Sequence, residues 1–433
     1  MKNRAEKIAA IIAIAAAFTC AFRDSETFSA ENERCGSEST VYAATTADVP
    51  DFTLSVRCGD KTLTYEDKYI EPTDHDCAYE MRENKVNADR AVKAAEAARK
   101  VRSGKSKKRA VIASFPKLPD FFERVAEEAY VAPRDSTIRF TPNDAKKFVI
   151  TSHKSGQKAD ERAFYADFYD ALVSGKREIT VKTESVEPEV TTADNAALTY
   201  LKSSFCTDYS RSGANRRRNV ERAAEIINGT TLSGGEAFSF NRTVGRRTEQ
   251  NGFYPAKIIV GGEYVEGMGG GVCQVSTTLY NAALIAGMNI EQAGSHSLAP
   301  SYVAPSFDAA VSYGSGDLVF VNGGESKVFI RAYCADGKIR VEFYGERNRY
   351  KIVRKSVIVS QGAAPDDRII EDTEGKYFAP EEESGALMRI RSGSAGLVSE
   401  GYLLYYDGDK CVKSVKIRRD RYMPVRGILV KKP

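Results

Sequence analysis

Three consecutive glycines, Gly269, Gly270 and Gly271, stand directly before an apolar segment with the periodicity of a helix. Glycine allows the backbone to approach another surface more closely than any other residue does. Residues 273–286 repeat apolar side chains at helical spacing, and Gly287 follows as a stop signal. The inward positions of this helix are Val275, Leu279, Ala282 and Ala283. The sequence therefore predicts a tight loop that places Cys273 in the first turn of a helix.

Cys273 and His296 have the chemistry of a thiol nucleophile and its base. A cysteine thiol has an ordinary pKa of about 8.5, and both a helix N-terminus and a nearby imidazolium lower that pKa. His296 is the last of 3 histidines and follows Cys273 by 23 residues. A second interpretation stays open, because cysteine also packs as a small buried hydrophobe and glycines also serve tight packing.

The N-terminus has the pattern of a secretory signal. Lys2, Arg4 and Lys7 supply positive charge, and residues 8–22 form an apolar stretch shorter than the about 20 residues of a membrane span. We therefore expect the bulk of the chain to be extracytoplasmic. Secretion after cleavage and retention as a membrane anchor are both compatible with this pattern.

The overall composition gives no reason to expect nucleic-acid binding, since the net charge is only +4 over 433 residues. The eight cysteines have no CxxC spacing, so neither a zinc site nor a dense disulfide framework is predicted, and no cofactor is expected. Seven cysteines follow Cys20, and this odd number predicts at least one free thiol in an oxidising compartment.

Changes in composition divide the chain into four parts, and the predicted fold class is a multidomain α+β protein. We expect a signal or anchor with a polar tether at 1–47, an α+β domain at 48–190, a second α+β domain at 191–346 and a small β-rich module at 347–433.

Hydrophobic periodicity predicts the individual elements. Further helices are expected at 88–101, 119–130, 160–173 and 215–228. Strands are expected at 148–150, 178–186, 238–240, 256–260, 309–313, 318–321, 328–333 and 339–344. Residues 402–430 are expected to form a hairpin around Asp407 and Gly408.

Two segments are locally basic. Residues 105–109 form a Lys- and Arg-rich run, and residues 411–433 carry eight Lys or Arg against one Asp. On an exported protein such a tail can contact an anionic wall polymer or membrane lipid, while a solvated loop or strand face explains the same charges.

Several segments of the second α+β region carry the pattern of one known family. They are residues 219–220, 235–241, 244–248, 252–253, 269–283, 296–297, 302–303 and 308–309. Through them the region resembles the VanW family, exported bacterial proteins named for an accessory gene of glycopeptide-resistance clusters. Through 133–135, 156 and 186–188, the preceding region resembles the peptidoglycan-binding module often found ahead of it, and 421–425 is similar to the family's β-rich ending.

Two turns depart from the family pattern. Gly234-Gly235 and Pro305-Ser306-Phe307 stand where Pro-Gly is expected, the second of them directly before Asp308. Both departures concern the shape of loops, and Cys273 and His296 are in place.

The resemblance implies a cell-wall-associated L,D-transpeptidase that acts on the stem peptides of peptidoglycan. In that scheme Cys273 attacks the carbonyl of the third stem residue and expels D-Ala, and an amine of another stem resolves the acyl-enzyme into a 3-3 cross-link. His296 takes and returns the proton. A cysteine endopeptidase, with water as the acceptor, and a non-catalytic peptidoglycan- or glycopeptide-binding accessory protein remain open alternatives.

Further residues receive roles in this scheme. Asp308, or a backbone carbonyl in its place, orients His296. Arg246 and Arg247 pair with stem-peptide carboxylates or with surface acids. Ser276, Thr277 and Thr278 are expected to face solvent in the first helical turn, with Ser276 and Tyr302 as substrate-binding candidates. The loop expected to hold an oxyanion through backbone N–H groups comprises Gly269, Gly270, Gly271, Val272 and Gln274.

Overall fold

The computed structural model describes residues 52–67, 115, 117–260, 263–379, 381 and 383–433. The predicted signal or anchor at 1–47, the predicted helix at 88–101 and the basic run at 105–109 lie outside these residues. Among the described helices, none is long and apolar enough to cross a membrane.

The first described part of the chain is a small α+β unit with its own core. Its sheet has the strand order Lys61–Asp67 (β2), Phe52–Cys58 (β1), Glu178–Thr180 (β6). Helix α1 (Leu118–Ala129) buries Leu118, Phe121 and Val125 in a cluster with the aromatic side chains of helix α2 (Glu161–Ser174). The spacing of these three residues places them on one helical face. The elements are β1 (Phe52–Cys58), β2 (Lys61–Asp67), α1 (Leu118–Ala129), β3 (Thr137–Phe140), β4 (Phe148–Thr151), β5 (Gly156–Ala159), α2 (Glu161–Ser174), β6 (Glu178–Thr180) and β7 (Thr183–Val186).

The central part is built around one buried helix, α6 (Val272–Ala286). Its elements are α3 (Thr192–Ala197), β8 (Leu201–Asp208), α4 (Ala214–Ile227), β9 (Thr231–Leu232), β10 (Ala237–Ser239), α5 (Phe240–Val244), a 3-10 helix (Glu249–Asn251), β11 (Pro255–Val260), β12 (Glu263–Met268), α6 (Val272–Ala286), β13 (Asn289–Gln292), β14 (Val319–Val321), β15 (Val328–Ala335) and β16 (Lys338–Tyr344). The sheet β8-β16-β15-β9 and helix α4 pack against α6. Thirteen of the 15 residues of α6 are buried, and Cys273 is one of the two that are not.

The C-terminal part consists of strands. They are β17 (Lys351–Gln361), β18 (Arg368–Glu371), β19 (Leu387–Arg391), β20 (Leu397–Asp407), β21 (Lys410–Tyr422) and β22 (Ile428–Lys431). Strands β17-β20-β21 form one antiparallel sheet. Strands β18-β22-β19 form a second, mixed sheet, in which β18 runs parallel to β22 and β19 runs antiparallel to it. The first sheet contributes Ile352 and Leu403 to the core that also contains α6. These strands therefore share a hydrophobic core with the central part.

The α+β class is confirmed, and the helices predicted at 119–130, 160–173, 215–228 and 273–286 are present within one residue of the predicted ends. The predicted hairpin is also present, with Gly408 at a φ of 57° in its turn, although its strands end at Tyr422. All five described cysteines are free thiols, namely Cys58, Cys206, Cys273, Cys334 and Cys411.

Three strand predictions are wrong. Residues 178–186 form two strands, β6 and β7, which join different sheets. Phe240 begins α5 instead of ending a strand. Residues 309–313 form only isolated bridges, because the backbone of Ala309 and Val311 hydrogen bonds to side chains of α6.

Candidate active site

The glycine loop packs against the protein itself. Gly271 precedes α6 at a φ of 106°, a left-handed conformation that glycine adopts without strain. A Cβ added to Gly270 would stand 2.7 Å from backbone atoms of β11, so the space next to this glycine is filled by the chain. The Asn219 side-chain amide donates to the Gly270 carbonyl oxygen at 2.9 Å. The loop thus serves tight packing, and this packing holds Cys273 at the start of α6.

Cys273, His296 and Asp308 meet at this point. The His296 imidazole lies close enough to the Cys273 thiol for each group to shift the pKa of the other. Nδ1 of His296 lies 2.7 Å from Oδ2 of Asp308, and the His296 backbone N–H donates to the same oxygen at 2.6 Å. Asp308, and not a backbone carbonyl, is therefore the group that orients the imidazole. Because Asp308 engages Nδ1, the other ring nitrogen, Nε2, is left to face the thiol.

Burial differs along this row of residues. Asp308 is fully buried, and the His296 side chain is 8% exposed. Cys273 is only partly buried. Its Sγ atom lies 3.3 Å from the carbonyl oxygen of Val311 and 3.5 Å from the N–H nitrogen of the same residue. Cys273 is thus the least buried residue of the three.

The surroundings favour a thiolate next to an imidazolium. Burial raises the pKa of Cys273. The interaction with His296 lowers this pKa by more, and Val311 and Arg247 lower it further. The pKa of the thiol therefore lies below its ordinary value. Burial lowers the pKa of His296, but Asp308 and Cys273 outweigh it and raise the pKa to about 9. Burial raises the pKa of Asp308, but hydrogen bonds from His296 and Tyr422 hold it below the usual range.

Two residues near the end of the chain contact Asp308 from the other side. The Tyr422 hydroxyl donates to Oδ1 of Asp308 at 2.6 Å, and Nη1 of Arg418 donates to the Asp308 backbone carbonyl at 2.7 Å. Sequence reasoning missed both contacts. Tyr422 lies within the family-like segment 421–425, which was the available signal, but no local pattern indicates which distant residue it touches.

Ser306 accounts for one departure from the family pattern. Its φ of 64° lies in the left-handed region, which explains why glycine is expected at this position. The Ser306 N–H donates to the Tyr422 hydroxyl oxygen at 2.7 Å, and its side-chain hydroxyl lies 2.7 Å from that of Ser399. These hydrogen bonds stabilise a serine in the conformation that precedes Asp308.

The candidate substrate-binding residues are unequally placed. Arg246 is exposed, and its guanidinium lies 5.2 Å from the ring centroid of Tyr313. Arg247 is half-buried and close enough to Cys273 to lower the pKa of the thiol. Its Nη2 atom is buried and has no hydrogen-bond partner among the described residues. Tyr302 also lies near Cys273, and its pKa is raised, first by burial and then by the negative charge of the thiolate.

The expectation that Ser276, Thr277 and Thr278 face solvent is wrong, because all three are fully buried. The Ser276 hydroxyl donates to the Ala309 carbonyl at 2.6 Å, which ties α6 to the segment that follows Asp308. Ser276 is therefore part of the packed core and not of a surface that a substrate reaches.

Gln274 and Val272 are also engaged within the protein. The Gln274 amide donates to the Asp208 carbonyl at 2.9 Å and accepts from Arg216 at 2.8 Å. The Val272 N–H donates to the Gly269 carbonyl at 3.1 Å, so it is not free to bind an oxyanion.

An open depression of about 550 Å³ lies on the Tyr313 side of the site. The charge of Arg247 interacts with Cys273. It also interacts with Tyr313 and Asp317, which line the depression. The lining residues are Asn241, Arg242, Gln292, Tyr313, Gly314, Ser315, Gly316 and Asp317. Within the described part of the chain, no group of three or more His, Cys, Asp or Glu residues is arranged to hold a metal ion.

Comparison with known proteins places this site within a matched region. Residues 215–344, which include Cys273, His296 and Asp308, match the model of a family described as VanW like protein. The uncharacterized protein YoaR of Bacillus subtilis (strain 168) is 34% identical over 236 residues, which cover 53% of this chain and 75% of that protein. The crystal structure of HP0197-G5 is matched over 99% of its own chain and 19% of this one, at 15% identity and a TM-score of 0.11, too low to support a conclusion.

Proposed function

This chain belongs to the VanW family, and on that basis we propose that it is a cysteine-dependent acyltransferase of the bacterial cell wall. The proposed substrate is the peptide stem of peptidoglycan, and the proposed reaction is an L,D-transpeptidation that forms 3-3 cross-links outside the cytoplasm. The family supports the substrate class. The observation that carries the reaction class is the row Cys273, His296 and Asp308. Asp308 hydrogen bonds to His296, His296 lowers the pKa of the thiol, and Cys273 is the least buried residue of the three.

In the first half-reaction, the Cys273 thiolate attacks the carbonyl carbon of the third stem residue, and a C–S bond forms while the carbonyl oxygen becomes an oxyanion. The oxyanion then collapses, the C–N bond to the terminal D-Ala breaks, and the His296 imidazolium donates its proton to the leaving amine. A thioester and free D-Ala result. The N-terminus of α6 stabilises the oxyanion, and we assign the Cys273 N–H as a donor because that of Val272 is occupied.

In the second half-reaction, a side-chain amine of another stem attacks the thioester carbonyl. The neutral His296 accepts a proton from this amine, the C–S bond breaks, and the new amide bond is the cross-link. The thiolate and imidazolium are thereby restored. Asp308 holds the proton on Nδ1 throughout, so that Nε2 faces the reacting atoms.

The two arginines support different parts of this proposal. Arg246 is exposed beside the depression and is suited to pair with a carboxylate of the stem peptide. Arg247 lies too deep for such a contact, and its charge instead stabilises the Cys273 thiolate.

The test is to incubate the purified protein with muropeptides that carry tetrapeptide stems and to analyse the products by mass. Cys273→Ala is the inactive variant, and Cys206→Ala removes another partly buried free thiol as the matched control. We expect dimers and free D-Ala from the wild type and from Cys206→Ala, and neither from Cys273→Ala. Equal product formation by all three proteins would sink the proposal.

Two other functions would give different products. Hydrolysed monomers without dimers would indicate a cysteine endopeptidase, in which water replaces the acceptor amine. The open depression and the half-exposed Tyr313 favour a binding role as the second candidate, because an exposed aromatic ring among polar groups is suited to hold peptide or sugar. A pure binding protein would retain muropeptides equally well after Cys273→Ala and release no D-Ala.

A further inference from the structure

Strand β21 presents three charged or polar side chains to the segment that carries Asp308. Side chains of a strand alternate between faces, so Arg418, Asp420 and Tyr422 share one face. The pairing with β20 is regular over this stretch, from Gly401 opposite Arg418 to Leu397 opposite Tyr422. The position of this face relative to Asp308 is therefore set by the sheet and not by a flexible tail.

Each of the contacts is specific. Tyr422 is 2% exposed, and its hydroxyl both donates to Oδ1 of Asp308 and accepts from the Ser306 N–H. Arg418 donates from Nη1 to the Asp308 carbonyl, and its Nη2 lies 3.6 Å from Oδ1. Asp420 fixes this guanidinium through contacts of 2.7 Å to Nε and 3.0 Å to Nη2. Both oxygens of the buried Asp308 carboxylate thus have donors, His296 on one and Tyr422 on the other.

The same strand end also contacts the histidine loop. The Met423 N–H donates to the carbonyl of Ser297, the residue after His296, at 2.7 Å. In the neighbouring strand, the Ser399 hydroxyl bonds to Ser306. The C-terminal sheet therefore holds the backbone on both sides of the His296 to Asp308 pair.

We propose that Tyr422 and Arg418 are positioning residues of the Cys273 site, and that the C-terminal strands are a structural part of the active site. This inference rests on the proposed role of Cys273 as a nucleophile. A buried carboxylate needs a donor for each oxygen, and a carboxylate that orients an imidazole acts through the geometry that those donors impose. Neither residue touches the thiol, so both act on it through Asp308 and His296.

The direction of the effect follows from the groups around Asp308. These are His296, Arg418 with Asp420, Tyr422 on β21, Tyr280 on α6, and Tyr302 in the segment between His296 and Asp308. Removing the Tyr422 hydroxyl takes a hydrogen bond from the charged carboxylate, so the carboxyl should gain a proton at higher pH. Once protonated, Asp308 no longer stabilises the imidazolium, and the thiolate loses its partner charge. The reactivity of Cys273 rises from acid pH as the thiolate forms, and we call this rising part of the profile the acid limb. The acid limb should therefore move to higher pH.

The test measures the rate of Cys273 alkylation by iodoacetamide against pH in the full-length protein, with mass analysis to assign the modified thiol. For Tyr422→Phe and Arg418→Met we expect the acid limb to shift upward by about 0.5 to 1 pH unit. Tyr402→Phe is the matched control, since its hydroxyl bonds to Glu400 in the same sheet and not to Asp308. Its profile should coincide with that of the wild type.

Profiles of Tyr422→Phe and Arg418→Met that match the wild type would overturn the inference. Circular dichroism and the unfolding midpoint identify a variant that fails to fold, and the other variant then decides the outcome. The alkylation assay needs no muropeptide, so it is independent of the cross-linking test. If the variants shift the acid limb but the wild type forms no cross-links, the transpeptidase proposal is refuted and the positioning role is retained.

Discussion

The hydroxyl of Tyr422 donates a hydrogen bond of 2.6 Å to Asp308, a residue 114 positions earlier in the chain. The other oxygen of the same carboxylate binds His296. Hydrogen bonds therefore connect the last long strand to His296 through Asp308, and His296 in turn lowers the pKa of the Cys273 thiol. The reactivity of Cys273 depends on parts of the chain that are far apart in sequence.

His296→Gln should slow alkylation of Cys273 by about tenfold or more near pH 6.5. The imidazolium stabilises the thiolate, so without it the thiol's pKa rises toward its ordinary value and less thiolate is present below that value. Well above the ordinary pKa, the two proteins should react at similar rates. His153→Gln, in the first α+β unit, is the control. A profile of His296→Gln identical to that of the wild type would contradict the thiolate–imidazolium pair.

Asp308→Asn should lower the free energy of unfolding at neutral pH by about 3 kcal/mol, because it removes one partner of a buried charge pair. The folded-state pKa of Asp308 lies below its unfolded value, so its stabilising contribution is full above about pH 4 and is lost as the pH falls through the lower folded pKa. Urea unfolding at neutral and acid pH should show the difference shrink in acid. The exposed Asp366→Asn serves as control, and a difference independent of pH would argue against this linkage.

Gly270→Ala should lower the free energy of unfolding by about 2 kcal/mol and also reduce the alkylation rate of Cys273. The new Cβ would stand 2.7 Å from the backbone of β11, so the loop before α6 has to shift. Gly362→Ala, where the nearest atom lies 3.9 Å away, should leave both quantities unchanged. If Gly270→Ala behaved like Gly362→Ala, the loop would not depend on this close approach.

Ser276→Ala should destabilise the protein by about 1 to 2 kcal/mol, because the Ala309 carbonyl loses its buried donor. If Ser276 is purely structural, the pH profile of Cys273 alkylation should keep its midpoint. Urea unfolding and alkylation measure the two effects separately, with the exposed Ser360→Ala as control. A rise in the KM for muropeptide at unchanged stability would instead restore Ser276 as a substrate contact.

Arg246→Met and Arg247→Met should have different effects on the proposed reaction. Arg246→Met should raise the KM for tetrapeptide stems about tenfold and leave the alkylation profile unchanged, because it removes only a carboxylate contact. Arg247→Met should move the acid limb of alkylation upward, because it removes a positive charge that stabilises the thiolate. If the effects were reversed, the assignment of the two arginines would be exchanged.

Local signals were sufficient for the frame of the site. The apolar repeat and the flanking glycines predicted α6, since helix periodicity and stop signals act within a few residues. The same reasoning placed Ser276, Thr277 and Thr278 on the surface, because consecutive polar residues in a first turn commonly face solvent. In the structure, backbone groups satisfy these hydroxyls. Ala309, in another segment, accepts from Ser276 through its carbonyl and donates to Thr277 through its N–H, and the carbonyl of Gln274 in the same helix accepts from Thr278.

By itself, the sequence determined the α+β class and the four predicted helices that the structure describes, the tight loop before Cys273, and the identity of the residues that resemble the VanW pattern. The tertiary structure decided which of them meet. It selected Asp308 over a backbone carbonyl as the partner of His296, enclosed Gln274 and Ser276, and brought Tyr422 and Arg418 to the same carboxylate. Helix and turn formation depend on neighbours in the chain, whereas the donors of a buried carboxylate depend on how distant elements pack, and no local pattern encodes that packing.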